Sequence, residues 1–148
     1  FTVYLPQSVD ENAVIENRGV FTMPKDLSVL MVDDEAICRE VATELLDDLN
    51  STTHAIEDAE AAISFYRENW QLIDIIILDM VMPKMSGAEV FQQLREINPQ
   101  VKILIASGYE LDAEVERLLK SGEGSCQFIR KPFIQAQLFE SIIILLQD

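Results

Sequence analysis

The sequence is poor in positive charge, in cysteine and in long apolar runs. Its 148 residues carry 11 Lys and Arg against 26 Asp and Glu, a net charge of −15. A chain this acidic repels nucleic acid and anionic lipid, so direct contact with either is not expected. The two cysteines, Cys38 and Cys126, match no metal or redox spacing and read as reduced thiols of a cytosolic protein. No apolar run approaches the length of a membrane span, and no signal peptide is visible. Disorder is excluded as well, because hydrophobic residues make up 49% of the chain. That length and content suit one domain with a tail. The first residue is Phe1 and not Met, so a fragment of a longer protein is expected.

What the sequence does contain is a regular alternation that begins near Leu27. Residues 7–25, "QSVDENAVIENRGVFTMPK", hold polar clusters, a Gly and a Pro without a sustained period, and read as a linker. "LSVLMVD" is then a short, apolar, β-branched run, and so a buried strand. "EAICREVATELLDDL" sets Ile37, Val41, Leu45 and Leu49 at steps of four, predicting a helix with that face inward. "TTHAIE" is a weaker strand and "AEAAISFYRENW" a helix. "IDIIILD" is apolar on both faces, as a central parallel strand requires. In "SGAEVFQQLREI", Ser86 and Glu89 have the spacing of a capping box. "VKILIAS" is a fourth strand. "LDAEVERLLKSG" is a helix closed by Gly122 as its C′ glycine. "CQFIRK" is a fifth strand and "IQAQLFESIIILLQD" a last helix.

Five βα units in succession predict an α/β fold. Its sheet is parallel and doubly wound, with helices on both faces and right-handed crossovers. The length fits the flavodoxin-like strand order 2-1-3-4-5, whose ligand sites lie beyond the carboxyl ends of the strands. Strand one ends in Asp33, Asp34 and Glu35, strand three in Asp79, strand four in Ser107, and strand five in Lys131 and Pro132. Each alone reads as a cap or a turn. Together they bring carboxylates, a hydroxyl and an ammonium to one rim. Two like charges about 4 Å apart repel by about 4 kcal/mol at an effective dielectric near 20. The acids therefore require cations. Lys131 is one, and Mg²⁺ suits one or two carboxylates plus a phosphoryl group. The set reads as a phosphoryl-transfer centre with Asp79, on the central strand, as the attacking carboxylate.

The motifs "LMVDDE", "ILDMVMPKMSG", "IASGY" and "IRKPF", in this order and spacing, resemble the receiver domain of two-component response regulators. The resemblance spans residues 26–148. It implies Asp79 as the phospho-accepting aspartate, Asp34 as a direct Mg²⁺ ligand and Asp33 as a ligand acting mainly through water. It also implies the Val81 main-chain carbonyl as a metal ligand, shaped by the loop that Pro83 and Gly87 form. Ser107 and Lys131 match the residues that bind the phosphoryl group. Phe128 matches the switch aromatic, expected to turn inward as Ser107 moves. The Lys131–Pro132 bond is expected to be cis. Val81 and Tyr109 match positions that admit or exclude the hydrolytic water. One is apolar and the other bulky, which implies a long-lived phosphoryl group.

The implied donor is a phosphohistidine on another domain, since the single histidine, His54, near the start of strand two, reads as a surface or edge residue. The fragment is then a phospho-acceptor and not a stand-alone enzyme. A haloacid dehalogenase-like phosphatase would need an Asp at position 81, which is Val. An FMN carrier would need a phosphate cradle where "DDEA" stands. An inactive receiver would have lost an acid or the lysine. "FTVYLP", residues 1–6, resembles the last strand of a histidine kinase ATP-binding domain. The expected parent is thus a hybrid sensor histidine kinase, itself a phosphotransferase, with a histidine phosphotransfer domain as onward partner. Its expected location is cytoplasmic, through a kinase that a membrane tether would accommodate. The alternative parent is a free-standing or DNA-binding response regulator. The last helix is apolar beyond one face, with Ile142 to Leu146 uninterrupted, which suggests a homodimer or partner surface.

Overall fold

The computed structural model describes residues 26–108, 113–120 and 124–147. The expectations for residues 1–6 and 7–25, Tyr109 and Gly122 lie outside the described residues. Five strands, β1 (Ser28–Val32), β2 (Thr52–Ile56), β3 (Ile75–Asp79), β4 (Ile103–Ser107) and β5 (Cys126–Arg130), alternate with helices. The helices are α1 (Ala36–Asp47), α2 (Ala59–Asn69), α3 (Gly87–Ile97), α4 (Ala113–Lys120) and α5 (Gln135–Gln147). The sheet is parallel, in the order β2-β1-β3-β4-β5, the flavodoxin-like order that the alternation predicts.

The two-residue period of the central strands sorts their side chains into two cores. Leu30, Val32, Ile76, Leu78, Ile103 and Ile105 face α2, α3 and α4. Val29, Met31, Ile75, Ile77, Leu104 and Ala106 face α1 and α5. Both faces of β3 are buried, which is why its sequence reads as an uninterrupted apolar run. β2 is an edge strand of exposed and half-buried residues, hence its weaker pattern. His54 lies in the middle of β2, not near its start, and its ring leans on Phe65 with centroids 4.9 Å apart.

Two of the helices start where a polar side chain receives a free N–H group. Asp58 Oδ2 accepts from the Ala61 N–H at 2.9 Å, which opens α2. At α3 the capping box is complete: Ser86 Oγ accepts from the Glu89 N–H at 3.2 Å, and Glu89 Oε1 accepts from the Ser86 N–H at 3.4 Å.

The inward face of α1 is in part the one expected: Leu45 and Leu49 pack on the core, but Ile37 and Val41 do not. Ile37 is 71% exposed and Val41 44%, while Ala42, Leu46 and, past the helix end, Leu49 enter the core. Steps of four overshoot a 3.6-residue turn, so a row built only of such steps spirals away from the contact. The buried set instead combines steps of four and three. α5 behaves similarly, burying Leu138, Ile142 and Leu145 and leaving Ile144 39% exposed. Among the described residues, no helix is long and apolar enough to cross a membrane.

Candidate functional site

Strand register builds the site. Val32 of β1 pairs with Leu78 of β3, so Asp33 and Asp79 follow on adjoining strands. Asp79 pairs with Ala106 of β4, which sets Ser107 one residue beyond. Ser107 pairs with Arg130 of β5, and the Lys131 N–H donates to the Ser107 main-chain carbonyl at 2.8 Å. The rim expected from the strand ends is therefore assembled by the ladder itself.

Asp33, Asp79 and Ser107 are the buried polar residues among those described, with 0%, 3% and 4% of their surface exposed. Asp34 is half-buried beside them. Carboxylate oxygens of Asp33, Asp34 and Asp79 lie within 4.8 Å of one another. Lys131 Nζ reaches into this trio, 3.0 Å from Asp33 Oδ2 and 3.4 Å from Asp79 Oδ1, with Glu35 Oε1 at 3.7 Å. The Lys131–Pro132 peptide is cis, as expected.

Burial, then the charge of Asp33, pushes the Asp79 carboxyl up from 3.8 to about 6, against the lowering effects of Lys131 and the Val81 N–H. The N–H of Val81 donates to Asp79 Oδ1 at 3.3 Å. For Lys131, burial acts to lower the pKa, but the hydrogen bond to Asp33 and the charges of Asp79 and Asp33 outweigh it and raise the value. Metal-free, the cluster is thus short of positive charge. Its donors are hard carboxylate oxygens close enough to share one ion, which fits Mg²⁺.

The loop after β3 returns against the Asp79–Met80 peptide. The Gly87 N–H donates to the Met80 carbonyl at 3.2 Å. A Cβ at Gly87 would lie 2.5 Å from Met80 Cα and 3.0 Å from the Asp79 carbonyl oxygen. Only glycine allows that approach, since real Cβ contacts are not so short. Val81 stands on this loop with its side chain in solvent, 54% exposed. Phe128, on β5, is half-buried against the core that α2, α3 and α4 share.

Two residues that touch the site, Cys38 and Arg39, escape a reading of the sequence. Cys38, read there as an inert thiol, has its Sγ 3.7 Å from Lys131 Nζ and 3.4 Å from Glu35 Oε1. Burial and the charge of Asp33 raise this thiol to about 11, so it stays protonated at neutral pH. Glu35 itself flanks Lys131. Arg39 Nη1 donates to the main-chain carbonyl of Asp33 at 2.8 Å. The usable signal is position: α1 starts directly after the acid pair, and side chains in a first turn lean back toward the helix start. A groove of about 390 Å³ lined by Tyr66, Trp70, Asp74, Asn98 and Lys102 lies at the other end of the strands, away from this chemistry.

Residues 29–143 match the family model of the response regulator receiver domain. The chain belongs to that family. Among curated relatives, the receiver is 28% identical over 151 residues to the sensor kinase CckA of Brucella abortus, covering 96% of this chain and 16% of that protein. It is 25% identical over 149 residues to the transcription factor SKN7 of Saccharomyces cerevisiae, covering 99% of this chain and 23% of that protein. The crystal structure of the receiver domain from the hybrid histidine kinase CckA superposes with a TM-score of 0.67 at 28% identity, over 81% of this chain and 99% of that one. The chain thus spans less than a quarter of the length of those two curated relatives.

Proposed function

We propose that this receiver takes a phosphoryl group from a phosphohistidine of a kinase or phosphotransfer domain onto Asp79. The observation that carries the reading is the Asp33–Asp34–Asp79 trio with Lys131 Nζ between Asp33 and Asp79. A carboxylate oxygen of Asp79 attacks phosphorus in line. The P–N bond breaks, its electron pair returns to the imidazole, and an acyl phosphate remains. The buried β3 strand holds the nucleophile still, which favours a short, aligned approach.

Asp33, Asp34, Asp79 and the Val81 carbonyl are the proposed holders of Mg²⁺. When bound, the ion supplies positive charge against the carboxylates and the phosphoryl oxygens. Lys131 gives up a carboxylate partner to pair with a phosphoryl oxygen, and the Ser107 hydroxyl hydrogen-bonds another. Phe128 then turns further into the space behind Ser107, which remodels the surface of α4, β5 and α5.

A hybrid sensor histidine kinase is the proposed parent, with a cytoplasmic receiver, the kinase's own histidine as donor and a histidine phosphotransfer domain downstream. The likeness to CckA supports it. The likeness to a transcription factor favours the second reading, a response regulator with its own output domain. Kinase dimerisation and ATP-binding modules in the reading frame upstream of Phe1 would decide for the first.

The test of phosphoacceptance is chemical. Incubation with acetyl phosphate and Mg²⁺ is expected to add one phosphoryl group, labile to hydroxylamine, on the peptide that contains Asp79. Labelling confined to another residue would overturn the reading. A second expectation concerns lifetime. The apolar Val81 and bulky Tyr109 are proposed to keep water from the acyl phosphate, so its decay after removal of the donor should take far longer than seconds. Decay within seconds contradicts that role.

A further inference from the structure

We propose that Arg39 is a positioning residue for the acid pair, holding the Asp33–Asp34 peptide from behind so that both carboxylates converge on a divalent cation. The inference rests on the reading of this rim as a Mg²⁺-dependent phosphoacceptor.

Asp33 stands just past the end of β1, and each of its polar groups has an anchor. Its N–H donates to the Ile56 carbonyl at 3.2 Å. Its Oδ1 accepts from the Glu35 N–H at 2.9 Å, and its Oδ2 from Lys131 Nζ at 3.0 Å. Its main-chain carbonyl accepts from Arg39 Nη1 at 2.8 Å. Asp33 is fully buried, so a carbonyl left without a donor would have to turn to find one. Turning that carbonyl rotates the peptide that leads into Asp34, and with it the direction of the Asp34 carboxylate.

Arg39 is also in an unusual place for a cation. Its N–H donates to the Glu35 carbonyl at 3.2 Å, which puts it in the opening turn of α1. Positive charge near a helix N-terminus opposes the macrodipole. The first turn of α1 carries no acidic residue of its own to offset this. The compensation is the neighbouring acid cluster: Lys131 meets it from the β5 side and Arg39 from the α1 side. The guanidinium thus lowers the repulsion among the three carboxylates through a main-chain carbonyl, without itself taking a carboxylate oxygen.

A purely structural bond would stabilise the fold and leave metal affinity alone, so the two readings separate by titration. Mg²⁺ binding to the full chain is measured by calorimetry for the native protein, Arg39→Met, Arg39→Lys and Thr43→Val. Thr43 Oγ1 donates to the Arg39 carbonyl at 2.8 Å, so its loss perturbs the same helix without touching the acids. Arg39→Met is expected to bind Mg²⁺ about 10- to 100-fold more weakly at unchanged stoichiometry, the usual range for losing an outer partner of a metal ligand. Arg39→Lys is expected to recover most of that loss, because it restores the cation. Thr43→Val should lower the thermal midpoint and keep native Mg²⁺ affinity. Native affinity in Arg39→Met overturns the proposal. So does a loss in that variant that appears only as reduced stoichiometry, the signature of an unfolded fraction. A native chain that takes no Mg²⁺ would instead overturn the phosphoacceptor reading, and the positioning role with it.

Discussion

The Asp79→Asn protein is expected to take no phosphoryl group and yet to melt at a higher temperature than the native chain when Mg²⁺ is chelated. The two effects share one cause. An amide is not a nucleophile toward phosphorus, so the acyl phosphate cannot form. In the metal-free fold, however, the ionised Asp79 is a liability. Its side chain is 5% exposed, and burial and the charge of Asp33 push its pKa to about 6 from 3.8. Folded protein then binds that proton more tightly than unfolded chain does. By linkage, stability falls as pH rises through the window from about 4 to about 6. Above it the full penalty is present, roughly 3 kcal/mol for a shift of about two units. Thermal denaturation in a chelator should show Asp79→Asn more stable than native by about 2–3 kcal/mol at pH 7.5. The gap should close as pH falls toward 4, and Mg²⁺ should narrow it at pH 7.5 by stabilising the native acid cluster. A variant that melts below the native chain at pH 7.5 without metal would show that the site is not short of positive charge.

How much of this was legible in the sequence depends on which residues carry it. β3 and β4 are buried on both faces, so "IIILD" and "ILIAS" announce themselves as strands and their last residues as the rim. The order of the sheet then does the rest, because each βα crossover places the next strand end beside a known neighbour. β2 is faint since it lies at the edge. Half of the inward face of α1 is hidden from the pattern, because Ile37 and Val41 are large and apolar but point to solvent, while the small Ala42 takes the core position. Residue type outweighed phase there. The contacts of Lys131 with Asp33 and Cys38 join positions 98 and 93 residues apart. No local period encodes them. Arg39 and Cys38 bear on the site through the lean of side chains in an opening helical turn, which a pattern of faces does not record.

Lys131→Met tests the cluster from its cationic side, and here stability is expected to drop. Lys131 Nζ serves Asp33, Asp79 and Glu35 at once, and its side chain is 14% exposed. Without it, two buried carboxylates face each other with no ammonium between them. Removing one partner from a buried ion pair typically costs about 3–5 kcal/mol, and a loss near the lower figure, about 3 kcal/mol, is expected at pH 7.5 in chelator. The pH dependence carries the sign. Lys131 lowers the Asp79 pKa in the native chain, so in the variant Asp79 takes up its proton at a higher pH than native; as pH falls the uncompensated charge drops and the deficit should shrink. At the alkaline end, the raised pKa of Lys131 means its contribution in the native protein is present below the ordinary lysine value of 10.5 and is lost as pH climbs beyond it. Lys131→Met lacks that contribution and so should lack that alkaline loss. Mg²⁺ should recover much of the deficit at pH 7.5, since a divalent ion on the same oxygens replaces the missing charge. Acetyl phosphate should still label Asp79, about 100-fold more slowly for want of one charged donor to the phosphoryl oxygens. The response of the Phe128 ring signals to phosphorylation should be lost, because nothing then draws β5 toward the phosphoryl group. Equal melting of the two proteins in chelator would mean that the acids do not depend on this lysine, and the electrostatic account of the rim would fail with it.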